Sequence, residues 1–167
     1  ISVLLTCAGI AVPKSLKIQD EIVWFNDSMK EEQVWERRIE DDMEKALENH
    51  EFQVYLQPKY STKGEKLSAA EALVRWVHPE KGLISPRSFI PIFENNGFIT
   101  ELDYYIFATV SKQLDKWRNE GLPILPVSVN VSRADLYDPN LFPNIVKIVD
   151  TTEKAKVFAN LLLQGAE

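Results

Sequence analysis

Residues 52–76 read Phe52-Gln-Val-Tyr-Leu-Gln-Pro-Lys-Tyr-Ser-Thr-Lys-Gly-Glu-Lys-Leu-Ser-Ala-Ala-Glu-Ala-Leu-Val-Arg-Trp76, and this stretch decides the fold. In its first part Phe52, Val54 and Leu56 alternate with Gln53, Tyr55 and Gln57, the period of a half-buried strand. Pro58 removes a backbone donor and is expected to end that strand, and Gly64 marks a turn. In the second part Ala70, Ala72 and Val74 alternate with Glu71, Leu73 and Arg75. Glu71 and Arg75 therefore share a strand face with Leu73 between them, ~13 Å apart along an extended chain. A carboxylate and a guanidinium on one face suit a site for a metal and an anion. The same pattern also lines the solvated faces of ordinary strands.

Working outward, Ser85 as N-cap and Pro86 at the first helical position predict a helix that buries Phe89, Ile90, Ile92 and Phe93 and ends at Gly97. Thr100 with Asp103 has capping-box spacing and predicts a second helix over Glu101–Glu120, with Leu102, Ile106, Val110, Leu114 and Trp117 inward and Gly121 past its end. Val127, Val129 and Val131 then alternate with Ser128, Asn130 and Ser132 as a further strand. An amide among valines is either a satisfied structural group or a neutral oxygen ligand for a hard cation. Strand, helical crossover and strand imply parallel pairing, the beginning of an α/β barrel or an open α/β sheet.

Toward the N-terminus, the apolar, β-branched run Ile1–Val12 predicts a buried strand, Pro13–Asp20 a polar connection and Glu21–Phe25 another strand. Ser28 with Glu31 predicts the start of a helix over Met29–Asn49, apolar along Trp35, Ile39, Met43, Ala46 and Leu47 and charged elsewhere. Its narrow seam fits a packed surface helix, a connector, or a homodimer contact.

The 167 residues suit one domain or part of a larger one. A formal net charge of −6 argues against a duplex nucleic-acid surface, which needs a basic stripe. Cys7 is the sole cysteine, so an internal disulfide is excluded and a reducing, cytoplasmic setting is expected. The longest apolar run is far short of the ~20 residues that span a bilayer. Membrane contact is therefore expected only through segments outside this chain.

Leu56-Gln57-Pro58, Ala70-Glu71-Ala72-Leu73-Val74-Arg75-Trp76, His78-Pro79 and Gly82-Leu83-Ile84-Ser85-Pro86 stand in the order found in EAL-domain proteins. Phe89-Ile90-Pro91, Glu94, Gly97, Leu102-Asp103 and Val129-Asn130-Val131-Ser132 continue it. The chain thus resembles the EAL family, whose members hydrolyse cyclic di-GMP to the linear dinucleotide with two divalent cations in a TIM-like (β/α) barrel. The resemblance implies Glu71 and Asn130 as catalytic metal ligands for Mg²⁺ or Mn²⁺, and Gln57, Leu73 and Arg75 as contacts to cyclic di-GMP. Glu94 and Asp103 match family positions too, where helix-surface or capping roles are equally consistent with their types. Residues 1–28 resemble the tail of a GGDEF domain, with 29–50 as connecting helix and 51–167 as a partial EAL domain.

After Val149 the resemblance fails in register. The expected glutamate on the next strand, the adjacent aspartates before Phe-Gly and a later lysine are not in the chain. Asp150 and Glu153 instead read as caps of a helix over Lys154–Leu163. A closed barrel takes eight strands and ~250 residues, so half of one would expose unpaired edges. The abrupt changes near Pro13 and Val149 favour a chain that joins segments of a longer protein over a truncated gene product. The alternative function is a catalytically inactive EAL module, acting as a cyclic di-GMP receptor or a protein scaffold.

Overall fold

The structure, a computed structural model, describes residues 2–17, 24–62, 64, 66–133, 135–150 and 157–161. It divides into two compact units, residues 1–44 and 45–167.

The first unit holds helix α1 (Ser2–Lys17) and most of helix α2 (Asp27–Glu48). Where a strand was expected over Ile1–Val12, the described residues from Ser2 on form a helix, and it continues through Pro13 where a connection was expected. A continuous apolar run has no period to separate the two states, and length then favours a helix. Leu4, Leu5, Ala8 and Ala11 are also good helix formers. Glu21 to Val23 lie outside the described residues, and Trp24 and Phe25 are irregular backbone rather than strand. Helix α2 starts earlier than predicted. Asn26, not Ser28, is its cap: Asn26 Oδ1 accepts from the Met29 amide at 3.0 Å and from Ser28 Oγ at 2.6 Å. The predicted stripe is present, with Ile39 and Ala46 buried and Trp35, Met43 and Leu47 half-buried. His50, at φ 56°, ends the helix with a left-handed turn in which the Glu51 amide donates to Ala46 O at 2.9 Å.

The second unit is built on a five-stranded sheet: β1 (Phe52–Tyr60), β2 (Leu67–His78), β3 (Gly82–Ile84), β4 (Val127–Val131) and β5 (Val157–Leu161). The order is β1-β2-β4-β5, with β3 joined to the end of β2. β1 and β3 run antiparallel to β2, while β2, β4 and β5 are mutually parallel. Helices α3 (Pro86–Asn96) and α4 (Ile99–Asn119) connect β2 to β4, and α5 (Leu141–Asp150) connects β4 to β5. Pro58 does not end β1; it pairs with Ala70, and the strand runs to Tyr60. β1 lies at the edge of the sheet, where a missing amide donor is tolerated. The helix predicted over Lys154–Leu163 is replaced where it is described, since Val157–Leu161 pairs with β4. That pairing covers an edge β4 would otherwise expose, a long-range gain that local capping signals do not reveal.

Period-2 alternation gives the sheet two chemically different faces. One carries Phe52, Ala72, Trp76, Val127, Val129 and Val131, all buried. Trp76 packs 5.0 Å from Phe52 and 5.7 Å from Phe89, and Phe93 lies 4.9 Å from Phe98, ring centre to ring centre. Leu102, Ile106, Phe107, Val110 and Leu114 of α4 are buried as well. The Trp76 indole donates to Glu51 Oε2 at 2.9 Å, so its one polar atom is satisfied. The other face carries Gln57, Lys59, Glu71, Leu73, Arg75, Ser128 and Asn130. Among the described residues no helix is long and apolar enough to cross a membrane.

Candidate active site

Strand register brings the predicted residues onto one surface. Gln57 stands opposite Glu71 in the β1–β2 pair, Tyr55 opposite Leu73 and Gln53 opposite Arg75. Directly opposed side chains share a face with Cβ atoms about 5 Å apart. In the parallel β2–β4 pair Glu71 aligns with Ser128, which carries Asn130 to the level of Leu73. Asn130 Nδ2 donates to Glu71 Oε1 at 3.4 Å, so residues 59 positions apart meet.

Leu73, Arg75 and Asn130 line a cavity of about 800 Å³ at the carboxyl end of β4 and along the middle of β2, together with Arg87, Ile90 and Arg133. Gln57 and Glu71 are not in its wall; they continue the same sheet face beside it. Ligands of α/β folds bind at this end of parallel strands. The Arg75 guanidinium donates to Val74 O at 2.8 Å, which folds the side chain back along its own strand. Ile90, expected in the core, lines the cavity and is only half-buried.

Glu71 is held ionised. Its hydrogen bond from Lys59 lowers its pKa below the usual carboxylate value; partial burial opposes this, and Asn130 and the lysine charge add to the lowering. Lys59 Nζ lies 2.9 Å from Glu71 Oε2 and donates to Ser128 Oγ at 3.2 Å. Glu71 and Asn130 supply hard oxygen donors of the kind Mg²⁺ and Mn²⁺ take. Asn130 Oδ1 is buried without a hydrogen-bond partner, and an unpaired buried amide oxygen is a donor available to a cation. The two residues fit part of a metal shell. Among the described residues there is no group of three or more His, Cys, Asp or Glu side chains able to complete it.

A second layer fixes the end of β4. The Ser132 amide donates to Asp103 Oδ2 at 2.9 Å, and Ser132 Oγ donates to Glu94 Oε1 at 2.8 Å. The Thr100 hydroxyl donates to Asp135 Oδ1. Thr100 and Asp103 therefore do not form the predicted capping box; α4 begins at Ile99, and both side chains reach across to the chain after β4. Burial chiefly, then the hydrogen bond to Asp135, raises the Asp103 pKa to about 8, although the Ser132 amide favours its charged form. Asp135 Oδ2 is buried and without a partner, and a proton on Asp103 gives it one. Reading by residue missed Lys59, Ser128, Arg87 and Arg133. Alternation signals the first two, since Lys59 follows Gln57 and Ser128 precedes Asn130 at strand spacing. Nothing local signals that the two arginines converge.

The model of the EAL domain family matches residues 40–161, and the chain belongs to that family. It is 38% identical over 111 residues to the cyclic di-GMP phosphodiesterase PdeR of Escherichia coli, an alignment covering 66% of this chain and 16% of PdeR. It is 33% identical over 120 residues to the signaling protein YkoW of Bacillus subtilis, covering 72% of this chain and 14% of YkoW. The solved MucR phosphodiesterase in complex with c-di-GMP superposes with a TM-score of 0.68 at 25% identity, over 73% of this chain and 50% of that one. The FimX EAL domain of Xanthomonas citri, at 19% identity, shares the fold with a TM-score of 0.68 over 81% of this chain and 53% of that one. The chain thus spans about half of these two solved domains and under a fifth of PdeR and YkoW. Its sheet and helices match the α/β fold of these EAL structures.

Proposed function

We propose that the protein of which these residues form part is a metal-dependent phosphodiesterase that opens cyclic di-GMP to the linear dinucleotide. The contact between Glu71 and Asn130, beside a cavity edged by three arginines, is the observation that carries this reading. Glu71 and Asn130 would hold a divalent cation, Mg²⁺ or Mn²⁺, in a site of two metals. When bound, such cations polarise a phosphoryl oxygen and lower the pKa of water. Arg75 would turn from Val74 O to a phosphate, whose geometry a planar guanidinium matches. Leu73 supplies apolar wall to the ligand, and Gln57 an amide for its polar edge. Residues 51–167 are then part of the catalytic barrel and 29–50 its connecting helix. For 1–28, Val23-Trp24-Phe25 ahead of a charged helix supports a preceding GGDEF-type segment. The lone cysteine supports a cytoplasmic location.

The test is conversion of cyclic di-GMP by the full-length protein in Mg²⁺ or Mn²⁺, beside Glu71→Gln. Linear dinucleotide from the native protein, with at least a ~100-fold loss in the variant, is expected for removal of a metal ligand. Binding without turnover would overturn the enzyme reading in favour of a receptor. Neither binding nor turnover would overturn both.

A further inference from the structure

The carboxylate that carries the metal reading already has a cation on it. Lys59 Nζ sits 2.9 Å from Glu71 Oε2, and Asn130 Nδ2 faces the other oxygen at 3.4 Å. Both carboxylate oxygens thus face nitrogen donors. Mg²⁺ binds carboxylate oxygen at about 2.0–2.1 Å and demands near-ideal geometry. An ammonium held on the same oxygen would meet the ion as a like charge at close range, so lysine and metal compete for Glu71.

The lysine is positioned for this by more than chance contact. β1 places Lys59 on the same face as Gln57. Its ammonium has a second anchor in Ser128 Oγ at 3.2 Å, and Ser128 in turn donates to Ala70 O at 3.3 Å. The side chain is 42% exposed against 25% for Glu71. It can therefore leave the carboxylate for water without unfolding anything, while Glu71 stays in place on its strand. At that exposure the pair itself adds little stability; its consequence is for what else can bind.

We propose that Lys59 is a built-in counter-ion that occupies Glu71 in the metal-free protein and must be displaced by the incoming divalent cation, so that it sets metal affinity and is released when metal binds. This rests on Glu71 being a metal ligand, as assigned above. Lys59 touches no reacting group in this role.

The experiment measures Mn²⁺ binding to the full-length protein, without nucleotide, by electron paramagnetic resonance of the free ion. Native protein, Lys59→Met, Lys59→Arg and Glu71→Gln are compared. Lys59→Met keeps the aliphatic stem and removes the charge; Mn²⁺ affinity is expected to rise by about tenfold. Lys59→Arg keeps the charge and should leave affinity near native. As a second readout, acylation of the Lys59 amine in the native protein should be slow without metal and faster at saturating Mn²⁺. Should Lys59→Met fail to fold, this labelling decides alone. Unchanged or weaker Mn²⁺ binding in Lys59→Met, with binding abolished in Glu71→Gln, would overturn the counter-ion role and leave the metal site standing. Mn²⁺ binding in Glu71→Gln equal to native would overturn the assignment of Glu71 and the counter-ion role with it.

Discussion

At the residue scale the most consequential group after Glu71 is Asp103. Its carboxyl is buried beside Asp135, with Glu94 adding charge nearby, and its pKa is raised from 3.8 to about 8. In that window the folded chain retains a proton that the unfolded chain has lost. Stability from Asp103 is complete below pH 3.8 and declines as pH rises toward about 8. Asp135→Asn removes the neighbouring carboxylate while keeping an acceptor for Thr100. The variant is expected to be more stable than the native protein at pH 8, by on the order of 1–2 kcal/mol. The gain should vanish at pH 4. Urea unfolding at the two pH values measures both, and a native protein whose stability rises from pH 4 to pH 8 would contradict the burial argument. Asp103 accepts from the amide of Ser132, the residue that follows β4, so its protonation touches the strand that presents Asn130.

At the element scale, helix ends and the sheet edge matter most. Gly97 closes α3 at φ 85°, in the left-handed region, and leads directly into α4. Gly97→Ala should cost about 1 kcal/mol although nothing stands within 4 Å of the added carbon, because the penalty is conformational rather than steric crowding. A thermal midpoint shift of a few degrees would report it. Ser85 shows the opposite lesson. It stands at the N-cap position of α3 but makes no side-chain cap; its carbonyl accepts from the Ser88 amide at 2.9 Å instead. Ser85→Ala should therefore change stability by less than ~0.5 kcal/mol, well under the usual loss for a bonded cap.

At the scale of the whole molecule, one aromatic cluster ties the hairpin to the crossover. Phe93 is fully buried, with its ring centre 5.9 Å from that of Phe52, 6.1 Å from that of Trp76 and 5.3 Å from that of Phe89, in tilted or edge-on contacts. Phe93→Ala should destabilise by about 3–5 kcal/mol, a large fraction of what a domain of this kind possesses. Denaturant titration of the full-length protein checks this, and a loss under ~1 kcal/mol would mean that the cluster is not the shared core. Because the cluster lies on the face of the sheet opposite Glu71, its loss should lower stability before it alters metal affinity.

Local order was legible from residue types. Alternation in β1, β2 and β4 and the seams of α3 and α4 follow from a period that burial imposes. The ordered motifs from Leu56 to Ser132 point to the family, and Glu71, Arg75 and Asn130 stood out as polar groups at strand positions. Tertiary structure alone decided the rest. Ile1–Val12 has no period, so its state is not written locally. Pro58 could remain in β1 only because that strand lies at an edge, and Val157–Leu161 pairs as a strand because β4 offers it one. Thr100 and Asp103 have cap spacing, yet their partners lie some thirty residues on, after β4. Lys59 reaches Glu71 through register, the one quantity that depends on two segments at once. A residue's type fixes which bonds it can make; only the packed chain determines which partner arrives.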